Sequence, residues 1–200
     1  MKGLIKANTV DKYLQPIRNQ IVDLVETNAT VMEFGSGNGD LLFKLSDKIL
    51  RGTGFDSSES LIDYADKIKD KRLIENLNFE VIDLVKESIP VQKVDYAIAS
   101  LLFHILPWNF SIELLNKMIN ISGTTIVCGF SKPENFKQNF LLWLDQRFTR
   151  HYPKYKQYKK NGFMEKLIKS IENIEYQCID TFDPVIKIYK ITKHNKLTTQ

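Results

Sequence analysis

The chain has little of what would mark a disulfide-built, metal-built or membrane-spanning protein. In 200 residues there are two cysteines and three histidines. Cys128 and Cys178 each sit in a strand-like apolar run and read as buried reduced thiols rather than a bridge. His104, His151 and His194 lie far apart without ligand spacing, so no metal site is expected. No apolar run reaches the length of a membrane span. The opening residues, MKGLIKANTV, lack the apolar core and small-residue cleavage site of a signal peptide, so the cytoplasm is the expected location. The net charge is +4, too modest by itself to argue for nucleic acid. No internal repeat or linker divides the chain, and its length suits one domain with a sizeable core.

What is present is organised around Val31–Asp40, VMEFGSGNGD. Thr30 to Phe34 reads as a short apolar strand that carries an acid, Glu33. Gly35-Ser36-Gly37-Asn38-Gly39-Asp40 follows, with glycine at every second position. Leu41, Leu42, Leu45 and Ile49 then recur at helical spacing. Strand, glycine loop and helix in that order form the place where open α/β sheets bind ligands, because glycines let a ligand lie against bare backbone. A dinucleotide fingerprint needs glycine at the sixth position of GxGxxG, and Asp40 stands there. The third glycine comes one residue early, and an acid precedes the first.

Glu33-Phe34-Gly35-Ser36-Gly37-Asn38-Gly39 resembles motif I of the class I S-adenosylmethionine-dependent methyltransferases, E/D-x-G-x-G-x-G. The resemblance extends at the level of strand order over nearly the whole chain. It implies a Rossmann-like, doubly wound α/β fold: a seven-stranded sheet, mostly parallel, with an antiparallel C-terminal hairpin strand. It also implies S-adenosyl-L-methionine as cofactor, and an acid near the loop suits a ligand bearing an ammonium and a sulfonium. Asp56, at the tip of the second strand (52–55), falls about twenty residues after the loop, where a carboxylate accepts ribose hydroxyls. GFDSSESLIDYA resembles the family's second motif, with Ser57 beside the ribose and Ser57 or Ser58 as a helix cap. After a third strand (78–82), the family implies Asp83 on the adenine amino group and Leu84 on the ring. After a fourth (94–99), Ser100 would line the sulfonium, and SLLFHIL is similar to the run into a histidine seen in the quinone-biosynthesis-like branch. The cofactor set is thus Glu33, Gly35, Ser36, Gly37, Asn38, Gly39, Asp56, Ser57, Asp83, Leu84 and Ser100.

The rest of the chain bears on the acceptor. Val10, Leu14, Ile17, Ile21, Leu24 and Val25 share one face of a helix running up to about residue 28, with Tyr13 and Arg18 off the centre of the stripe. These two are either acceptor-side groups or a surface aromatic and a solvated charge. A helix is expected over 109–121 and a fifth strand over 124–130. The stretch 134–171 reads as a helical insertion in which Arg147, Arg150, His151, Lys154, Lys156, Lys159 and Lys160 alternate with Tyr152, Tyr155 and Tyr158. Such a surface suits an anionic or sugar-like acceptor or single-stranded nucleic acid. It is equally a solvated helix with its aromatics turned inward. Arg147, Arg150 and Tyr152 are the acceptor-side candidates, and His104 and His151 compete as general base on the strength of an ordinary pKa near 6.5. Two last strands fit 174–182 and 185–192 around Asp183-Pro184, before a polar tail from Lys193.

The expectation is a single methyltransferase domain, 1–200, with a cap helix in 1–28 and an acceptor-side insertion in 134–171. It would act on a small-molecule acceptor at oxygen or nitrogen as a monomer or homodimer. Ser100-Leu101-Leu102-Phe103 stands where an Asn/Asp-Pro-Pro-Tyr motif would mark base or glutamine N-methylation. RNA methylation is the alternative, and a non-catalytic sensor or partner subunit that binds the cofactor is another.

Overall fold

The computed structural model describes residues 10–88 and 92–194. The first nine residues of the expected cap segment, and the tail from residue 195, lie outside the described residues. Seven strands form one sheet in the order β3-β2-β1-β4-β5-β7-β6, flanked by helices, which is the expected doubly wound arrangement. By contacts the chain falls into two compact units, one ending at Ser100 and the other beginning at Leu101.

In the first unit, α1 (Val10–Leu24) leads to β1 (Thr30–Phe34). The glycine loop, α2 (Asp40–Leu45), β2 (Arg51–Asp56), α3 (Glu59–Lys71), β3 (Leu77–Val81) and β4 (Val94–Ser100) follow. β1 pairs in parallel with both β2 and β4, and β2 with β3. The sheet is built outward in one direction from β1 and resumes on its other side with β4. The order therefore reverses between β1 and β4, the switch at which the carboxyl ends of the strands leave a crevice. Val31, Met32 and Phe34 of β1 and Ala97, Ile98 and Ala99 of β4 are buried. Their near-continuous apolar runs are what strands covered on both faces require. At the other end of these strands the Asp95 carboxylate accepts from the Thr30 backbone N–H and hydroxyl, both at 2.7 Å. Those bonds hold its pKa below the usual carboxylate value.

In the second unit, a 3-10 turn (Phe103–Ile105) precedes α4 (Trp108–Ile121) and β5 (Ser122–Phe130). Then come α5 (Phe136–Arg147), α6 (Tyr152–Lys160), α7 (Phe163–Lys169), β6 (Ile174–Asp180) and β7 (Ile186–Lys193). β7 runs antiparallel between β5 and β6. The expected insertion is three helices, broken at Thr149–His151 and at Gly162, whose φ of 95° is left-handed. Tyr155 and Tyr158 of α6 are buried, so these aromatics turn inward. The Tyr158 hydroxyl donates to the Phe130 carbonyl at 2.7 Å and anchors α6 to the end of β5.

Several expectations need correction. Cys178 is exposed on β6, because the edge strand presents residues 175–178 to solvent, while Cys128 is buried on β5. Ser58 occupies the cap position of α3, but its side chain makes no capping hydrogen bond, and Ser57 is exposed. Lys193 ends β7 rather than opening a tail, and His194 Nδ1 lies 2.6 Å from Glu175 Oε1.

Replacing Tyr158 by Phe would strand a buried carbonyl without changing shape. The expected loss is about 1–2 kcal/mol in urea unfolding. An unchanged midpoint would mean that this bond does not hold the helix.

Candidate functional site

The loop after β1 is shaped by glycine backbone. Gly35, Gly37 and Gly39 have φ of 76°, 57° and 78°, the left-handed region in which a side chain is strained. At Gly39 a Cβ would also come within 2.6 Å of the Phe79 ring. The loop is closed by hydrogen bonds that do not depend on a ligand. Gly35 and Ser36 both donate to the Phe55 carbonyl, at 2.8 and 2.9 Å, and Gly39 donates to the Ser36 carbonyl at 3.0 Å. The Asp56 carboxylate completes the closure: Oδ2 accepts the Gly37 N–H at 2.8 Å and Oδ1 the Ser58 N–H at 2.9 Å. Gly54 makes room for this arrangement, since a Cβ there would meet Ser36 Cβ and Oγ at 2.8 Å.

The other expected cofactor residues fall around this loop or on the same strand ends. Glu33, Ser36 and Asn38 are buried polar residues. Asp83 lies two residues past the end of β3, with Oδ1 accepting the Val85 N–H at 3.1 Å and Oδ2 2.9 Å from Lys86 Nζ. The Lys86 bond holds its pKa below the usual value, so it stays a carboxylate, although one already serving a local turn. Leu84 is buried, and Ser100 ends β4 half-buried.

These groups fit the ligand that the sequence implies. Each Asp56 oxygen carries one short hydrogen bond and retains a lone pair for a hydroxyl donor. The glycines leave bare backbone, and the acids around them favour a ligand with hydroxyls and positive charge over a pyrophosphate.

Arg18 is not the solvated charge that one reading allowed. It is 6% exposed, and its Nη1 lies 2.7 Å from Asp40 Oδ2. Asp40 is the first residue of α2, immediately after Gly39, so the pair ties α1 to the exit of the glycine loop. In sequence the two residues are twenty-two positions apart and nothing links them. The available signal was an arginine at the shoulder of an apolar stripe and an acid at the first position of a helix. Tyr13 stands exposed on α1.

The remaining candidates belong to the second unit. Leu101, with a left-handed φ of 52°, turns the chain out of β4 and donates to the Cys128 carbonyl at 2.8 Å. Such a backbone is costly for a leucine and is held there by its surroundings. His104 follows on the 3-10 turn, its ring edge-on to Phe130 with centroids 4.8 Å apart. Its Nδ1 is buried without a hydrogen-bond partner among the described residues. Burial, helped by the charge of His151, pushes its pKa down to about 3. The ordinary pKa that recommended it as a base is therefore not the one it has. His151 occupies the N-cap position of α6 without a side-chain capping bond, and its pKa is lowered by burial and by the charges of Lys154 and Arg150. Arg147 and Arg150 are exposed, with the Arg147 guanidinium 4.8 Å from the Trp143 ring centre. Tyr152 accepts a hydrogen bond from Trp143 Nε1 at 3.1 Å. Trp143, Tyr152, Tyr155 and Lys156 line an open cleft of about 310 Å³.

Two outcomes follow from this geometry. Asp40→Asn keeps shape but removes the charge facing buried Arg18, and is expected to lower stability by about 2 kcal/mol in thermal unfolding. An unchanged midpoint would make the pair a spectator. His104 binds its proton less readily folded than unfolded. Its contribution to stability is therefore complete above the unfolded pKa of 6.5 and is lost as pH falls toward about 3. His104→Gln should flatten that acid-side slope in urea midpoints compared at about pH 7.5 and about pH 5. An identical slope in the variant would show that the ring titrates normally.

The family described as a methyltransferase domain matches residues 26–183. No curated protein matches the chain in sequence. Among solved structures, the chain is similar to a SAM-dependent methyltransferase from Aquifex aeolicus, at 16% identity over 87% of this chain and 88% of that one, with a TM-score of 0.60. It is also similar to magnesium protoporphyrin IX methyltransferase from Synechocystis PCC 6803 with bound SAH, at 14% identity, 92% and 83% coverage and a TM-score of 0.63. A third likeness is to the N-methyltransferase NodS from Bradyrhizobium japonicum WM9, at 12% identity, 92% and 97% coverage and a TM-score of 0.66. At these identities the likeness is one of fold. The family match, by contrast, is one of sequence and runs from before β1 to the turn between β6 and β7. The chain belongs to the methyltransferase-domain family and is a class I S-adenosylmethionine-dependent methyltransferase.

Proposed function

We propose that the chain, as one methyltransferase domain over residues 1–200, methylates a small-molecule acceptor at oxygen or nitrogen, with 134–171 as the acceptor-side insertion. The observation that carries the cofactor side is the closed glycine loop with the Asp56 carboxylate at its lip. Bound S-adenosylmethionine supplies an electrophilic methyl group together with its own neutral leaving group. Asp56, with Ser57 beside it, would accept the ribose hydroxyls through its remaining lone pairs. Gly35 to Gly39 would offer bare backbone, and Glu33 an acid for the ammonium end. Asp83 and Leu84 would meet the adenine, and Ser100 the sulfonium side. Alignment of two reactants away from water is the main service asked of the protein, since methyl transfer proceeds without a base when the acceptor is already nucleophilic.

His104 suits this requirement in a particular way. A ring with pKa about 3 is uncharged at physiological pH and holds a proton weakly. With its Nδ1 buried, it is better suited to shaping the site than to removing a proton from the acceptor. His151 is the other candidate, and Arg147, Arg150, Tyr152, Tyr13 and Arg18 remain the acceptor-side residues. Of these Arg18 is already engaged by Asp40, so it would act by holding the loop. The density of basic residues in 134–171 keeps RNA as the second reading. The inward turn of Tyr155 and Tyr158 removes two of the rings that stacking on bases would use, which favours the small molecule.

Calorimetric titration with S-adenosylmethionine, its demethylated product and NAD tests the cofactor site. The first two should bind and NAD should not. Asp56→Ala should weaken binding about tenfold or more, the worth of one or two hydrogen bonds to a charged group, and Gly37→Arg should weaken it at least as much by placing a side chain on a left-handed backbone inside the loop. Near-normal affinity in either variant would undo the assignment. Radiolabelled methyl transfer to anionic metabolites, sugars and RNA then separates the acceptor classes. Binding with no transfer to any of them would favour a sensor.

A further inference from the structure

α5 packs by a narrow, mixed side and turns a broader apolar side outward. Leu142 and Gln146 are its buried residues. At helical spacing, Phe136, Phe140, Leu141, Leu144 and Phe148 fall within one arc of about 140° on the other side. All five are exposed, Phe136 at 83% and Phe148 at 81%. The Phe136 and Phe140 rings stack at 6.4 Å, and Phe140 lies 5.8 Å from Trp143, so the apolar surface is continuous. Scattered exposed apolar residues need no explanation, but a contiguous patch of this kind marks an interaction face.

The charge around the patch says what would cover it. From Lys132 to Lys160 the chain carries eight lysines and arginines against Glu134 and Asp145, a net +6, although the whole chain is only +4. Lys137 rises within the apolar arc, Arg147 stands at its edge, and α6 adds the exposed Lys154 and Lys156. A second copy using the same face would set this charge against itself. A nucleic acid could use the phenylalanines but offers nothing to Leu141 and Leu144. A bilayer with acidic headgroups satisfies both demands, hydrocarbon for the rings and leucines and phosphate for the cations.

We propose that the exposed face of α5 docks on an anionic lipid bilayer and lies in its headgroup region. Among the described residues no helix is long and apolar enough to cross the membrane, so the contact is peripheral.

The test uses the full chain and measures sedimentation with vesicles of phosphatidylcholine, alone or with about one-third phosphatidylglycerol. Strong binding is expected only to the second kind, weakening in about 0.5 M salt as the charges are screened. The double variant Phe140→Ser/Leu144→Ser should lose about tenfold or more of that binding, since each apolar group withdrawn from lipid is worth about that much. Lys154→Glu/Lys156→Glu should reduce the preference for the anionic vesicles. Both variants change exposed residues, and retained S-adenosylmethionine affinity would confirm that they fold and keep this question separate from the cofactor site. Equal binding to the two kinds of vesicle, no binding to either, or no effect of either variant would overturn the proposal. So would a dimer in analytical ultracentrifugation that the Phe140→Ser/Leu144→Ser variant converts to monomer, because the face would then be covered by a second copy.

Discussion

The hydrogen bond from Gly37 N–H to the Asp56 carboxylate is the constraint on which the glycine loop, the proposed cofactor site, depends. A run of alternating glycines has more backbone freedom than most sequences of its length, and that freedom must be removed before a ligand can be held. Here it is removed from one side. The Phe55 carbonyl receives two N–H groups of the loop, and the next residue, Asp56, receives a third. Both partners come from the end of β2, so the parallel pairing of β1 with β2 sets the loop's shape. Gly54 belongs to the same design, because any side chain there would push Ser36 away. The carboxylate that would read the ribose is thus also the one that shapes the loop.

Other elements extend this constraint in ways that differ in kind. Arg18 reaches from α1 to Asp40 and fixes the exit of the loop by an ion pair at a partly shielded site, where the attraction is screened less than at an open surface. In the second unit the anchoring is by buried aromatics. Tyr158 closes on a strand carbonyl, and Tyr155 packs beside it under a helix whose outward face is almost wholly lysine and glutamine. α5 has neither kind of anchor along its outer side. Its phenylalanines and leucines are left in water beside a dense group of cations, an arrangement that satisfies the hydrophobic effect only when something covers it.

How far the site was legible depended on whether a residue's role is local. Strand, glycine loop and helix were readable because chain order alone puts the loop at a strand end. Asp56 was readable because the length of one helix-containing crossover determines where the next strand tip falls. Strand limits shifted by a residue or two, as pairing rather than propensity decides where a strand stops. Cys178 was misplaced because an apolar-looking strand is buried only when it is not at the edge, and the edge is a property of the whole sheet. Arg18 could be seen only as lying off an apolar stripe. That it meets Asp40, twenty-two residues on, required the packing of α1 on α2.

The sequence by itself determined the class of fold, the family and the position of the glycine loop, since these follow from periodicity, chain order and residue types in one continuous stretch. The tertiary structure alone decided the chemical state of the groups. His104 has an ordinary pKa as a residue and one of about 3 in its place. Ionisation is set by the solvent a side chain loses and the charges it meets, and neither is a property of its neighbours in sequence. The same holds for the face of α5: its residues read as one helix of the acceptor-side insertion until the fold shows which side has been left uncovered.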